Sequence, residues 1–177
     1  MNLTNNHTPN EDPGAESPMR DFQHSLPMAL LRAREAVMER FRPLLASQDI
    51  TEQQWRIIRA LWEAGELEIS ELARRCCILL PSMSGMLKRL EARSLVQRTA
   101  ADADQRRSLI SLTTEARRLF QQMAPFSEAR YAEIEQLFGT KRLHTLYTLL
   151  FELETVLRSP PDESTDRSST SSSSSIK

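Results

Sequence analysis

Apolar residues recur at helical spacing through most of the chain. Leu26, Leu30, Leu31, Val37, Phe41, Leu44 and Leu45 fall on one stripe, which predicts an amphipathic helix over 26–47. Pro27 suits its first turn, where a missing N–H costs nothing, and Pro43 should loosen its last. Thr51 has Gln54 three residues on, the spacing of a capping box. It opens a helix through Trp55, Ile57, Ile58, Leu61 and Trp62 that stops near Gly65. Leu67 to Ile69 reads as a short strand. Ser70 then caps a short helix ending near Cys77. Pro81 opens the next helix, with Ser82 or Leu80 as its cap. The period changes to two at 95–98 and 109–112, giving short strands around a polar loop from Ala100 to Arg107. Thr113 caps a long helix to about 138, which Pro125 should kink, with Glu115 and Glu128 on solvent faces. After Gly139 a last helix carries Leu143, Leu146, Leu149, Leu150, Leu153 and Leu157.

The predicted class is mainly α with a small β-wing. Residues 51–112 form a helix-turn-helix followed by two strands around a charged loop, flanked by helices at 26–47 and 113–157. That order is a DNA-reading unit. Residues 1–22 are polar and 159–177 serine-rich; both read as disordered tails around an ordered domain of 23–158.

Net charge changes the picture only when it is mapped. The whole chain carries −1, which by itself argues against a nucleic-acid partner. Residues 70–107, however, hold eight Lys and Arg against four Asp and Glu, a local surplus of four on an otherwise acidic chain. No run of 18 apolar residues occurs, and the polar N-terminus lacks a signal-peptide core, so the expectation is a cytoplasmic protein without a membrane partner. The two cysteines, Cys76 and Cys77, are adjacent and make no disulfide framework. There is no glycine-rich phosphate loop, nucleophile elbow, paired-carboxylate signature or metal-ligand spacing, so no enzyme, cofactor or metal is expected.

The chemistry gathers in PSMSGMLKRLEARS, residues 81–94. On a helix, Met83, Met86, Leu87 and Leu90 share one side. Pro81, Ser82, Ser84, Gly85, Lys88 and Arg89 lie toward the other. Small residues there permit close approach to base edges, and the cations suit groove-wall phosphates. Ser70, at the start of the preceding helix, joins this surface. In the wing, Arg106 and Arg107 are placed to enter the minor groove, with Asp104 bracing Arg106 by a charge-assisted bond.

Asp104-Gln105-Arg106 followed by Leu112-Thr113 resembles the D-x-R-x-x-x-x-x-L-T wing signature of MarR-type winged-helix regulators. PSMSGMLKRLEARSLVQR is similar to that family's recognition helix and following strand. Ser94 stands where the family usually has glycine. The resemblance spans about 24–157. In ALLRAREAVMERFRPLL, TEQQWRIIRALWE and CCILLPSMSGML it looks like the repressors of homoprotocatechuate (4-hydroxyphenylacetate) degradation operons. It implies a homodimer whose first and last helices interlock, a pseudo-palindromic operator on double-stranded DNA, and an aromatic carboxylic acid effector bound beside the winged helix. A carboxylate in an apolar cleft wants an arginine. Arg34 is the first candidate and Arg32 the second, with Met38, Trp55 and Cys76 as walls. A surface or intersubunit salt bridge, the latter to Glu35 or Glu39 of the partner subunit, is the competing role for Arg34. Two other readings stay open: a cysteine-based redox sensor, and a helical interaction module that does not bind DNA.

Overall fold

The structure, a computed structural model, describes residues 21–22, 25–101 and 104–159; the side chains of 100–101 and 104–107 are not described. The expected tails lie almost wholly outside these residues. In order come α1 (Leu26–Ser47), α2 (Glu52–Ala64), β1 (Glu66–Glu68), α3 (Ile69–Arg75), α4 (Leu80–Ala92), β2 (Val96–Ala101), β3 (Asp104–Leu112), α5 (Thr114–Phe138) and α6 (Thr140–Arg158). Two units divide within α5, one ending at Arg117 and the other beginning at Arg118.

The first unit holds α1 and the winged helix-turn-helix. Its core is Ile57, Ile58 and Leu61 of α2, Leu72 of α3, Met83, Leu87 and Leu90 of α4 and Ile110 of β3, all fully buried. The three strands run in the order β1-β3-β2, all antiparallel. Leu67 of β1 faces Ile110, and Val96 of β2 faces Leu112, so alternate residues of β3 feed the core. In the second unit α6 buries Leu143 but leaves Leu146, Leu149, Leu150, Phe151, Val156 and Leu157 exposed.

Caps explain several boundaries. The Thr51 hydroxyl accepts the Gln54 amide at 3.2 Å while the Gln54 side chain accepts the Thr51 amide at 2.9 Å, the expected capping box. Thr113 likewise accepts the Ala116 amide at 3.1 Å. Helices α1, α3 and α4 all end alike. Asp49, Cys77 and Ser94 adopt left-handed φ of 52°, 49° and 55°. The next amide in each case reaches back five residues: Ile50 to Leu45, Ile78 to Ala73 and Leu95 to Leu90, at 2.9–3.0 Å. Both members of every such pair are buried, the apolar contact that accompanies this motif.

Several expectations need correction. Ser70 does not cap α3; Glu68 occupies that position and no side chain caps it. Helix α3 ends at Arg75, close to the expected stop near Cys77, and the left-handed turn at Cys77 follows it. Neither Leu80 nor Ser82 caps α4; Leu79 stands there, again without a side-chain bond. The strands extend well into the expected loop, pairing as far as Ala101 with Asp104 past an irregularity at Ala100/Ala101. Pro43 and Pro125 both lie inside continuous helices. Each removes one donor, to the carbonyls of Glu39 and Gln121, and both of those residues are exposed to water.

Candidate functional site

Helix α4 has the two faces expected of it. Met83, Met86, Leu87 and Leu90 are at most 3% exposed, which fixes the helix's rotation against the core. Pro81, Ser82, Ser84, Lys88 and Arg89 are exposed and Gly85 half-buried. A Cβ at Gly85 would meet only the Arg89 guanidinium, at 3.8 Å, so the fold does not require glycine there. Close approach of a partner is what its small size permits. Ser70 is exposed on α3.

Cations that add to the local surplus on paper divide into two groups. Arg74 and Arg75 both hydrogen-bond Glu71, at 2.7–2.8 Å, and hold its carboxyl at about 2. Arg98 pairs with Glu91 at 2.5 Å. Arg93 donates to the backbone carbonyls of Asp49 and Gln48, tying the end of α4 to the α1–α2 turn. Lys88 and Arg89 have no partner among the described residues, so their charge is available to a phosphate. Asp104, Arg106 and Arg107 lie in β3, but their side chains are outside the described residues.

Arg34 sits in a closed ring of four charges linking α1 to α2. It bonds Glu35 and Glu52, each at 2.5 Å. Arg42 bonds Glu52 at 2.7 Å and also bonds Glu35, completing the circuit. Hydrogen bonds from Arg42 hold the Glu35 carboxyl below its usual range. Burial pushes Glu52 up, but bonds from Arg42 and Arg34 outweigh it and the net shift is downward. Arg42 is raised in turn by Glu35 and Glu52. Arg34 is therefore ion-paired within its own subunit, to its own Glu35 rather than to a partner subunit's glutamate, and to Glu52, which the expected pairings did not include.

The remaining effector candidates scatter. Arg32 is exposed, Met38 half-buried and Trp55 buried. Cys76 is buried and lines an open cleft of about 380 Å³ with Arg56, Arg59, Ala60, Glu63 and Arg75, residues of α2 and α3. Arg56 donates to the Cys76 carbonyl at 2.7 Å. Burial pushes the Cys76 thiol up despite the nearby Arg56 charge, the reverse of what a sensor thiol needs.

A winged helix-turn-helix with this exposed small-and-basic helix matches known proteins. The model of the MarR family matches residues 50–108. The homoprotocatechuate degradative operon repressor of Escherichia coli is 44% identical over 128 residues, covering 72% of this chain and 86% of the repressor. The chain belongs to the MarR family.

Two further members extend the comparison. The transcriptional regulator FarR of Neisseria gonorrhoeae is 43% identical over 77% of this chain and 93% of its own length. The crystal structure of NadR in complex with 4-hydroxyphenylacetate superposes with a TM-score of 0.68 at 43% identity, covering 77% of this chain and 96% of that one. These MarR-family relatives are regulators of transcription, as the helix-turn-helix implied. Among the described residues of this MarR-family chain, no helix is long and apolar enough to cross a membrane.

Proposed function

We propose that the protein is a homodimeric repressor of an aromatic-acid catabolic operon, released from a pseudo-palindromic operator by a hydroxyphenylacetate or related aromatic carboxylate. The observation that carries the DNA-binding part is helix α4: four residues lock it into the core while Ser82, Ser84, Lys88 and Arg89 face out. Ser70, Pro81 and Gly85 complete the surface, and Arg106 and Arg107, with Asp104, serve the wing. The effector class is supported by the identity to the homoprotocatechuate repressor and to NadR.

Dimerisation is supported by α1 and α6, which leave Leu26, Leu30, Leu31, Leu149, Leu150, Phe151 and Leu157 in water in a single chain. Apolar surface on that scale calls for a partner. Two copies place two α4 helices about one helical turn apart, ~10 bp. Arg34 takes the effector carboxylate, exchanging Glu35 or Glu52 for it, with Arg32, Met38, Trp55 and Cys76 as secondary candidates. Binding there shifts the population toward a half-site spacing that no longer fits the duplex. The site of action is the bacterial nucleoid, hence the cytoplasm.

The test is fluorescence anisotropy of the DNA upstream of the gene, with and without 4-hydroxyphenylacetate. Dissociation by the ligand, and strong loss of binding in Arg106→Ala, are the expected results. Tight binding that ignores every aromatic acid would remove the effector; binding unchanged by Arg106→Ala would remove the wing.

A further inference from the structure

Two leucines at the entrance to α4 are not explained by the core. Leu79, at the N-cap, is 78% exposed, and Leu80, the first helical residue, is 50% exposed. The other apolar side chains of this helix from Met83 to Leu90 are at most 3% exposed. Helix α4 therefore spends its buried positions on packing and then begins with two large apolar groups in water.

Their neighbours say what covers them. Leu80, Ser84 and Lys88 are spaced i, i+4, i+8, one row on the exposed side of the helix. At 1.5 Å per residue that row is ~12 Å long, about the width of a major groove. With the Lys88 ammonium on a groove-wall phosphate, Ser84 meets base edges and Leu80 lies deeper along the same row. The first residues of a recognition helix are those that meet base edges. The one apolar group displayed in the major groove is the thymine 5-methyl.

We propose that Leu79 and Leu80 are specificity-determining residues that select thymine by contact with its 5-methyl group, at one or two positions of each half-site. This rests on the DNA-binding reading of α4. The leucines contribute discrimination of thymine from cytosine that the polar residues of the helix do not supply. They displace water from the methyl, and a cytosine there leaves both the leucines and its amino group without a partner. A protein partner covering the same leucines is the competing occupant. The polar-and-basic row continuing from Leu80 into Ser84 and Lys88 favours DNA.

The experiment uses the full chain. Duplexes are first selected from a random pool by the wild type, and then each thymine of the selected half-site is replaced by deoxyuridine, which deletes only the methyl. The expected result is a loss of about fourfold per contacted methyl, the effect of one buried carbon. The Leu79→Ala/Leu80→Ala variant should bind the thymine and deoxyuridine duplexes equally. Both side chains are exposed, so the variant keeps its core, and the wild-type deoxyuridine series is decisive even without it. Indifference of the wild type to every deoxyuridine, or an equal loss in the variant, overturns the proposal. A change in oligomeric state of the variant with its deoxyuridine response intact assigns the leucines to a protein partner and overturns it too. If the wild type enriches no duplex at all, the DNA-binding reading itself falls.

Discussion

The Thr113 hydroxyl donates to the Ser94 carbonyl at 2.7 Å, joining the turn that ends α4 to the residue that begins α5. The same oxygen accepts the Ala116 amide. One side chain thus sets the end of the wing, the start of a helix and the exit of the recognition helix. Thr113→Val, which keeps shape and removes both bonds, should lower stability by ~1 kcal/mol, as losses of N-caps do. Urea denaturation with an unchanged m-value checks it.

Ser94 holds φ of 55° where glycine would carry no steric penalty. Ser94→Gly should raise stability by roughly 0.5–1 kcal/mol, the left-handed relief being partly offset by a more flexible unfolded chain. A thermal melt that falls instead would show that the Ser94 side chain contributes something its backbone does not.

On the proposed DNA-binding reading, Lys88 and Arg89 should make separable contributions. Replacing either with alanine should weaken binding to all duplexes by a similar factor and reduce the salt slope by about 0.9 per lost phosphate contact. Affinity measured across a salt series on selected and random duplexes tests this. Unchanged slopes would place both cations off the backbone.

Glu71, between Arg74 and Arg75, should titrate at about 2 rather than near the ordinary 4.5. Because its folded value is the lower one, the stabilisation is complete above 4.5 and disappears as pH falls through about 2. Side-chain NMR titration reads the midpoint directly. Glu71→Gln should flatten stability across that acid window, with only a small effect at neutral pH, since the carboxylate is solvent-exposed.

The fold was largely legible because its signals are strong and local. The Thr51 and Thr113 caps, the stop at Gly65 and the buried face of α4 each follow from a residue type at fixed spacing. Where the reading failed, tertiary effects decided. The chain enters α3 and α4 through uncapped turns, so Ser70 and Ser82, good caps by type, fall inside the helices. Three helices end in left-handed turns without glycine, and nothing in Asp49 or Cys77 announces that from sequence. The ion-pair ring needed α2 brought against α1: Glu52 is eighteen residues from Arg34, beyond any helical periodicity. Likewise the leucines at the mouth of α4 look like ordinary core residues until their exposure is measured.

The ring of Arg34, Glu35, Arg42 and Glu52 holds two positive and two negative groups, so it is electroneutral and every ion in it has two opposite neighbours. A ligand carboxylate joining at Arg34 makes three anions against two cations. Neutrality then returns only if a glutamate swings out to water or takes up a proton. The two routes differ in proton stoichiometry: only uptake of a proton would make the heat of binding change with the ionisation enthalpy of the buffer.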